Sequence, residues 1–148
     1  MIPSSLTVLP APVPQSGEED EHILPLPGCP RRLAGIRHHA RITLAHWALP
    51  QEVADDALLV VSELISDAVL HALPPAFLRL IRRRTETGGT LGIEVTDGGP
   101  MTGQSADHPV APDEHGRGLT IVRALSTDHG TCGGPDGSAT WWAELSTP

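Results

Sequence analysis

Apolar residues recur at three- and four-residue spacings through the first third of the chain beyond position 30. Leu33, Ile36, Ala40, Leu44 and Trp47 fall on one face of a helix predicted over 31–49, and Pro50 ends it. A second helix is predicted over 52–72, with Ala54, Leu58, Val61, Ile65, Ala68 and Ala72 as its core stripe and Leu73-Pro74-Pro75 as its stop. The period then changes from helical to alternating. Residues 77–83 read as a strand, Gly88-Gly89 as a turn, and 90–96 as the next strand. A loop rich in Pro, Gly, Asp and His runs from 97 to 115, and a short helix is predicted over 118–125. Segments 127–132 and 139–145 read as a closing hairpin. This order predicts an α+β fold: a two-layer α/β sandwich with helices on one face of a mixed, mostly antiparallel sheet. No internal repeat is visible.

The first thirty residues differ in kind. They hold seven prolines and the acidic run Glu18-Glu19-Asp20-Glu21. Proline removes backbone donors and like charges repel, so residues 1–30 are expected to form a disordered tail, with 22–26 as a candidate edge strand. Residues 31–148 form the expected domain.

Composition narrows the chemistry. The chain has 148 residues and a formal net charge of -8, which argues against a non-specific grip on nucleic acid. All ten basic residues are Arg. With no Lys, a Walker-type phosphate loop and Schiff-base chemistry are excluded. Cys29 and Cys132 form no CxxC pair, and the eight histidines show no repeated ligand spacing. No signal-peptide pattern and no membrane-length apolar run is present, so a cytoplasmic location is expected.

Four features carry candidate chemistry. Glu63, Asp67 and His71 stand four residues apart, and each such step drifts only about 40° around a helix. They form one polar stripe, which suits a magnesium ligand and a nearby general base, and equally suits a solvated helix face. Val95-Thr96-Asp97-Gly98-Gly99-Pro100 ends a strand in an acid followed by two glycines. Such an acid accepts hydrogen bonds from an amino group such as that of adenine, and Asp-Gly is also an ordinary hairpin signal. His115-Gly116-Arg117-Gly118-Leu119 leads into Thr120-Ile121-Val122, where backbone N–H groups at a helix start suit an anion. Finally, Gly133-Gly134-Pro135-Asp136-Gly137 turns into a strand where Trp141 and Trp142 alternate faces.

In this order and spacing the motifs resemble the GHKL ATPase superfamily (the Bergerat ATP-binding fold), which includes histidine kinases, gyrase, a heat-shock chaperone and mismatch-repair proteins. Within it, the chain is most similar to the bacterial anti-sigma-factor serine/threonine kinases, over roughly 31–145. The resemblance implies ATP and Mg²⁺ as ligands. It implies Glu63 as catalytic base, Asp67 at the metal position, and Asp97 on the adenine amino group beside Gly98 and Gly99. It implies His115, Gly116, Arg117, Gly118 and Leu119 as the glycine box at the phosphates, and residues 138–141 as the last motif. Family members phosphorylate a serine of an anti-anti-sigma (STAS-type) protein, sequester a sigma factor, and often dimerise. Direct nucleic-acid or membrane contact is not expected. Two departures stand out. Asp67 occupies the place of the usual Asn, and no Lys is available for the last motif. Arg117 reads either as a phosphate contact or as an exposed loop residue. The expected activity is therefore ATP-dependent protein serine/threonine phosphorylation. The alternative is a non-catalytic partner-binding module of the same fold. A histidine-kinase fragment would need a helical phospho-acceptor segment that the short Pro-rich leader does not offer.

Overall fold

A computed structural model describes residues 18–101 and 120–148. In chain order it contains β1 (Glu18–Pro25), a 3-10 turn (Pro30–Arg32), α1 (Leu33–His46), α2 (Gln51–His71), β2 (Phe77–Thr85), β3 (Gly88–Asp97), a helical segment at 120–125, β4 (Asp128–Gly133) and β5 (Ala139–Thr147). The strands form one five-stranded sheet in the order β1-β2-β3-β5-β4. Every pairing among them is antiparallel, so the described sheet is not mixed. Helices α1 and α2 cover one face.

The core lies between that face and the helices. Leu78 and Leu80 of β2, Leu91, Ile93 and Val95 of β3, and Ala143 and Leu145 of β5 point inward, as strand alternation requires. Against them pack Val60, Val61, Leu64, Ile65 and Ala68 of α2, and Leu33, Ala40, Leu44 and Trp47 of α1. Burying each large aliphatic side chain here contributes about 1.5–3 kcal/mol. The α2 stripe is rotated slightly from the expected one. Ala57, Val60 and Leu64 are buried, whereas Ala54 and Leu58 are only partly so, because the helix turns its flank to the sheet.

Two expectations need correction. The turn between β2 and β3 falls at Glu86 and Thr87, and Gly88 and Gly89 begin β3. Close packing explains the second glycine: a Cβ on Gly89 would sit 2.8 Å from the Arg83 carbonyl oxygen. The acidic run, expected in a disordered tail, lies in β1, which begins earlier than the candidate strand at 22–26. The reason is charge. Glu18, Glu19 and Asp20 stand in register with Arg84, Arg83 and Arg82. Each acid pairs with the arginine opposite, and Glu21 pairs with Arg79. Arg79 also reaches Glu94 at 3.1 Å. A run that repels itself in isolation is neutralised by the neighbouring strand.

The end of α1 is fixed by the same ladder. Arg82 donates to the Trp47 carbonyl oxygen at 3.0 Å, and its guanidinium lies over the Trp47 ring at 5.8 Å. A cation at the last turn satisfies an orphan carbonyl and complements the helix dipole. Ala48 then takes a left-handed conformation (φ 57°), which breaks the helix before Pro50.

Candidate nucleotide site

The strand β3 carries Asp97 to the end of the sheet on the face that the helices cover. Alternation puts Asp97 on the same side as Leu91, Ile93 and Val95, and it is 3% exposed. The Gly99 N–H donates to its Oδ1 at 2.7 Å. Burial pushes the Asp97 carboxyl above its ordinary range; the Gly99 hydrogen bond opposes this and the negative charge of Asp67 adds to it. That influence places Asp67 of α2 within electrostatic reach of the acidic end of β3. Glu63, Asp67 and His71 are each half-buried on α2.

The two elements are also tied through their backbones. The chain leaves α2 at His71 and passes directly alongside the Asp97-Gly98-Gly99-Pro100 segment. The Leu73 N–H donates to the Gly99 carbonyl at 2.8 Å, and the Gly98 N–H donates to the Leu73 carbonyl at 2.6 Å. Ala72 and Pro100 form an isolated antiparallel bridge. This clamp holds the end of α2 against the end of β3. The sequence shows Leu73-Pro74-Pro75 only as a helix stop; nothing in it marks Leu73 as a backbone partner of the glycines.

Both glycines answer to this crowding. A Cβ on Gly98 would meet the Pro74 and Leu73 carbonyl oxygens at 2.6 and 2.7 Å. Gly99 has φ +100°, a conformation that favours glycine, and a Cβ there would clash with the Gly137 carbonyl oxygen. Gly137 belongs to the tight turn between β4 and β5, where Gly134 N–H donates to the Ser138 carbonyl at 2.8 Å and Ser138 N–H to Asp136 Oδ1 at 3.0 Å. The last glycine-rich motif therefore abuts the Asp97 loop. On the opposite face of the sheet, the Thr96 and Thr140 hydroxyls share a hydrogen bond at 2.8 Å, joining β3 to β5 beside Asp97. Trp141 packs against the core. Trp142 faces the other way, and a Cβ on Gly130 would lie 2.9 Å from its indole.

The structure thus brings together Asp97, Gly98 and Gly99 with the end of α2 and the turn at 134–138, and the charge of Asp67 acts on Asp97; Glu63 stands one turn before Asp67 on α2. His115, Gly116, Arg117, Gly118 and Leu119 lie outside the described residues. Among the described residues, no group of three or more His, Cys, Asp or Glu side chains is placed to hold a metal by itself. A magnesium ion is commonly held by one or two carboxylates together with substrate phosphates, and Asp67 is a donor of that kind. A buried carboxylate beside close-packed glycines likewise fits the flat, amino-bearing edge of adenine. No described helix is long and apolar enough to cross a membrane.

Comparison with known proteins adds an independent finding. The family model described as histidine kinase-like ATPase domain matches residues 26–141. No match is found among the curated proteins. The family match takes in α1, α2, β2, β3 and the turn at 134–138, and on this evidence the chain belongs to the histidine kinase-like ATPase domain family.

Proposed function

We propose that the protein binds ATP with Mg²⁺ and transfers the γ-phosphoryl group to a serine of an anti-anti-sigma (STAS-type) partner, so regulating a sigma factor. The observation that carries this reading is Asp97. It is buried at a strand end, held by Gly99, and within electrostatic reach of Asp67, inside a chain of the histidine kinase-like ATPase family.

In this reading Asp97 accepts a hydrogen bond from the adenine amino group and selects adenine over guanine, which offers a carbonyl at that position. Asp67 holds the metal. The bound Mg²⁺ would supply charge neutralisation at the phosphates. Glu63, one turn before Asp67 on α2, accepts the proton of the serine hydroxyl as its oxygen bonds to the γ-phosphorus and the bond to the β–γ bridging oxygen breaks. ADP leaves and the partner carries a phosphoserine. Phosphoryl transfer depends mainly on positioning and charge stabilisation, so few side chains suffice. The backbone clamp at Leu73 fixes the separation of α2 from Asp97. In the same reading, backbone N–H groups of His115, Gly116, Arg117, Gly118 and Leu119 meet the phosphates.

A second reading rests on Asp67 itself. The resemblance places an Asn there, and a carboxylate adds negative charge beside Asp97 and the phosphates. A non-catalytic partner-binding module that holds nucleotide without turnover follows from that charge. Incubation with γ-labelled ATP and candidate STAS-type proteins separates the two. Label on a partner serine supports the kinase. Saturable ATP binding with no transfer to any of them supports the module.

A further inference from the structure

The two halves of β1 are held by different forces. Leu24 and, just beyond the strand, Leu26 pack against the hydrophobic core, and the Leu26 N–H donates to the Ala76 carbonyl oxygen at 2.9 Å. Glu18, Glu19, Asp20 and Glu21 bring no apolar side chain. Among the described residues β1 is an edge strand that pairs with β2 alone. Ordering its first four residues costs backbone entropy, and ladder hydrogen bonds and ion pairs are what offset that cost. Glu18, Glu19 and Glu21 are exposed and Asp20 is half-buried, so dissolved ions reach these pairs and screen them.

One pair differs from its neighbours. The Arg82 side chain is only 12% exposed. It holds Asp20 of β1, the Trp47 carbonyl oxygen and the Trp47 ring at once. Its Nε is buried and has no hydrogen-bond partner among the described residues. The guanidinium therefore links the edge strand to the end of α1 while one of its donors stays unmet, a state that is stable only as long as its other contacts hold. When Asp20 departs, water enters along the vacated edge. The guanidinium then gains full hydration by turning away from Trp47.

We propose that residues 18–21 form a latch that opens as ionic strength rises, and that Arg82 carries the opening to the C-terminal end of α1. Latched, the acidic run covers the arginines of β2, and Arg82 caps the last turn of α1 through the Trp47 carbonyl. Unlatched, residues 18–21 leave the sheet edge, Arg82 turns to water and the α1 cap is lost, while Leu24 and Leu26 keep the rest of β1 in place. The bistable element is the strand end, and the coupled site is Trp47. The proposal does not depend on the nucleotide site.

The test uses the isotope-labelled full chain without nucleotide, and reads amide exchange together with the Trp47 indole resonance. Salt is raised from about 0.01 M to about 1 M, over which the screening length falls from about 30 Å to about 3 Å. Protection of the ladder-bonded amides within 18–21 is expected to fall by about tenfold or more, the sum of several weak pairs. The amides of Leu26 and of Ile93 in the core should change little. The Trp47 indole signal should move with the same midpoint. Asp20→Asn at low salt should place that signal near the wild-type high-salt position, where added salt no longer moves it. Glu19→Arg, which sets two cations opposite each other, should open the latch at low salt, and Arg83→Glu added to it should restore both the protection and its salt dependence. Protection at 18–21 that does not respond to salt would overturn the latch, as would loss at Leu26 in step with it or failure of the charge exchange to rescue. A Trp47 signal that stays fixed while 18–21 open would overturn the coupling through Arg82.

Discussion

Replacing Gly98 by alanine tests whether the clamp between α2 and β3 builds the site. The added Cβ would lie 2.6 Å from the Pro74 carbonyl oxygen and 2.7 Å from that of Leu73. Both are backbone atoms, so relief requires the chain to move rather than a side chain to swing. Overpacking of this kind costs about 1–3 kcal/mol. Loss of the Gly98–Leu73 hydrogen bond adds about 0.5–1.5 kcal/mol. Together they predict a loss of roughly 2–4 kcal/mol. At about 2–4 °C per kcal/mol for a chain near this size, the melting temperature falls by roughly 4–16 °C. The movement also displaces Asp97, the residue immediately before Gly98. A hydrogen bond to a charged group is worth about 1.5–3 kcal/mol, so ATP affinity should fall about 10- to 150-fold where the protein remains folded. Thermal denaturation and calorimetric ATP titration below the new midpoint measure the two effects separately. A Gly98→Ala protein with wild-type melting temperature and wild-type ATP affinity would refute the clamp.

Further predictions follow from the same contacts. Asp97→Asn keeps an oxygen for the Gly99 N–H while removing the carboxylate charge, so it should abolish adenine binding yet leave the fold intact. The sign of its pH effect follows from burial. The folded carboxyl titrates above the ordinary value of 3.8, so the folded state holds its proton longer than the unfolded chain. Its ionisation therefore removes stability as pH rises from near that value through the folded pKa. Stability curves of wild type and Asp97→Asn, measured by urea denaturation across that window, should diverge with the variant gaining at higher pH; parallel curves would contradict the burial argument. Asp67→Asn should preserve or strengthen Mg²⁺–ATP binding in calorimetry, and a large loss would show that the carboxylate itself is required. Ile65→Ala, at a position 0% exposed, should cost about 2–5 kcal/mol in urea denaturation. Asp20→Ala should destabilise more than Glu18→Ala, because Asp20 serves Arg82 at 12% side-chain exposure whereas Glu18 serves Arg84 at 53%. Exposed pairs of the second kind contribute about 0–1 kcal/mol.

Much of this architecture is legible in the sequence where the signal is local. The three- and four-residue spacing from Leu33 to Trp47 marks α1, and the switch to alternation after Pro75 marks β2. Asp97 is legible because a strand, an acid and two glycines adjoin. What escapes is set by distant contacts. The acidic run looks solvated until Arg82, 62 residues away from Asp20, supplies its counter-charge. The burial of Ala57, Val60 and Leu64 in place of Ala54 and Leu58 depends on the angle at which the sheet meets α2. The Leu73 clamp is made of backbone groups, which carry no side-chain signature. Gly137 is visible as part of a glycine-rich turn, but its approach to Gly99 appears only once β5 is seen beside β3.

The most direct test is titration of the wild-type protein and Asp97→Ala with ATP, in the presence of Mg²⁺, by calorimetry. The account predicts saturable binding to the wild type, weaker or absent binding of GTP, and no ATP binding to a folded Asp97→Ala. A wild-type protein that takes up no ATP, or a variant that binds it as tightly, would contradict the assignment of this site to adenine nucleotide.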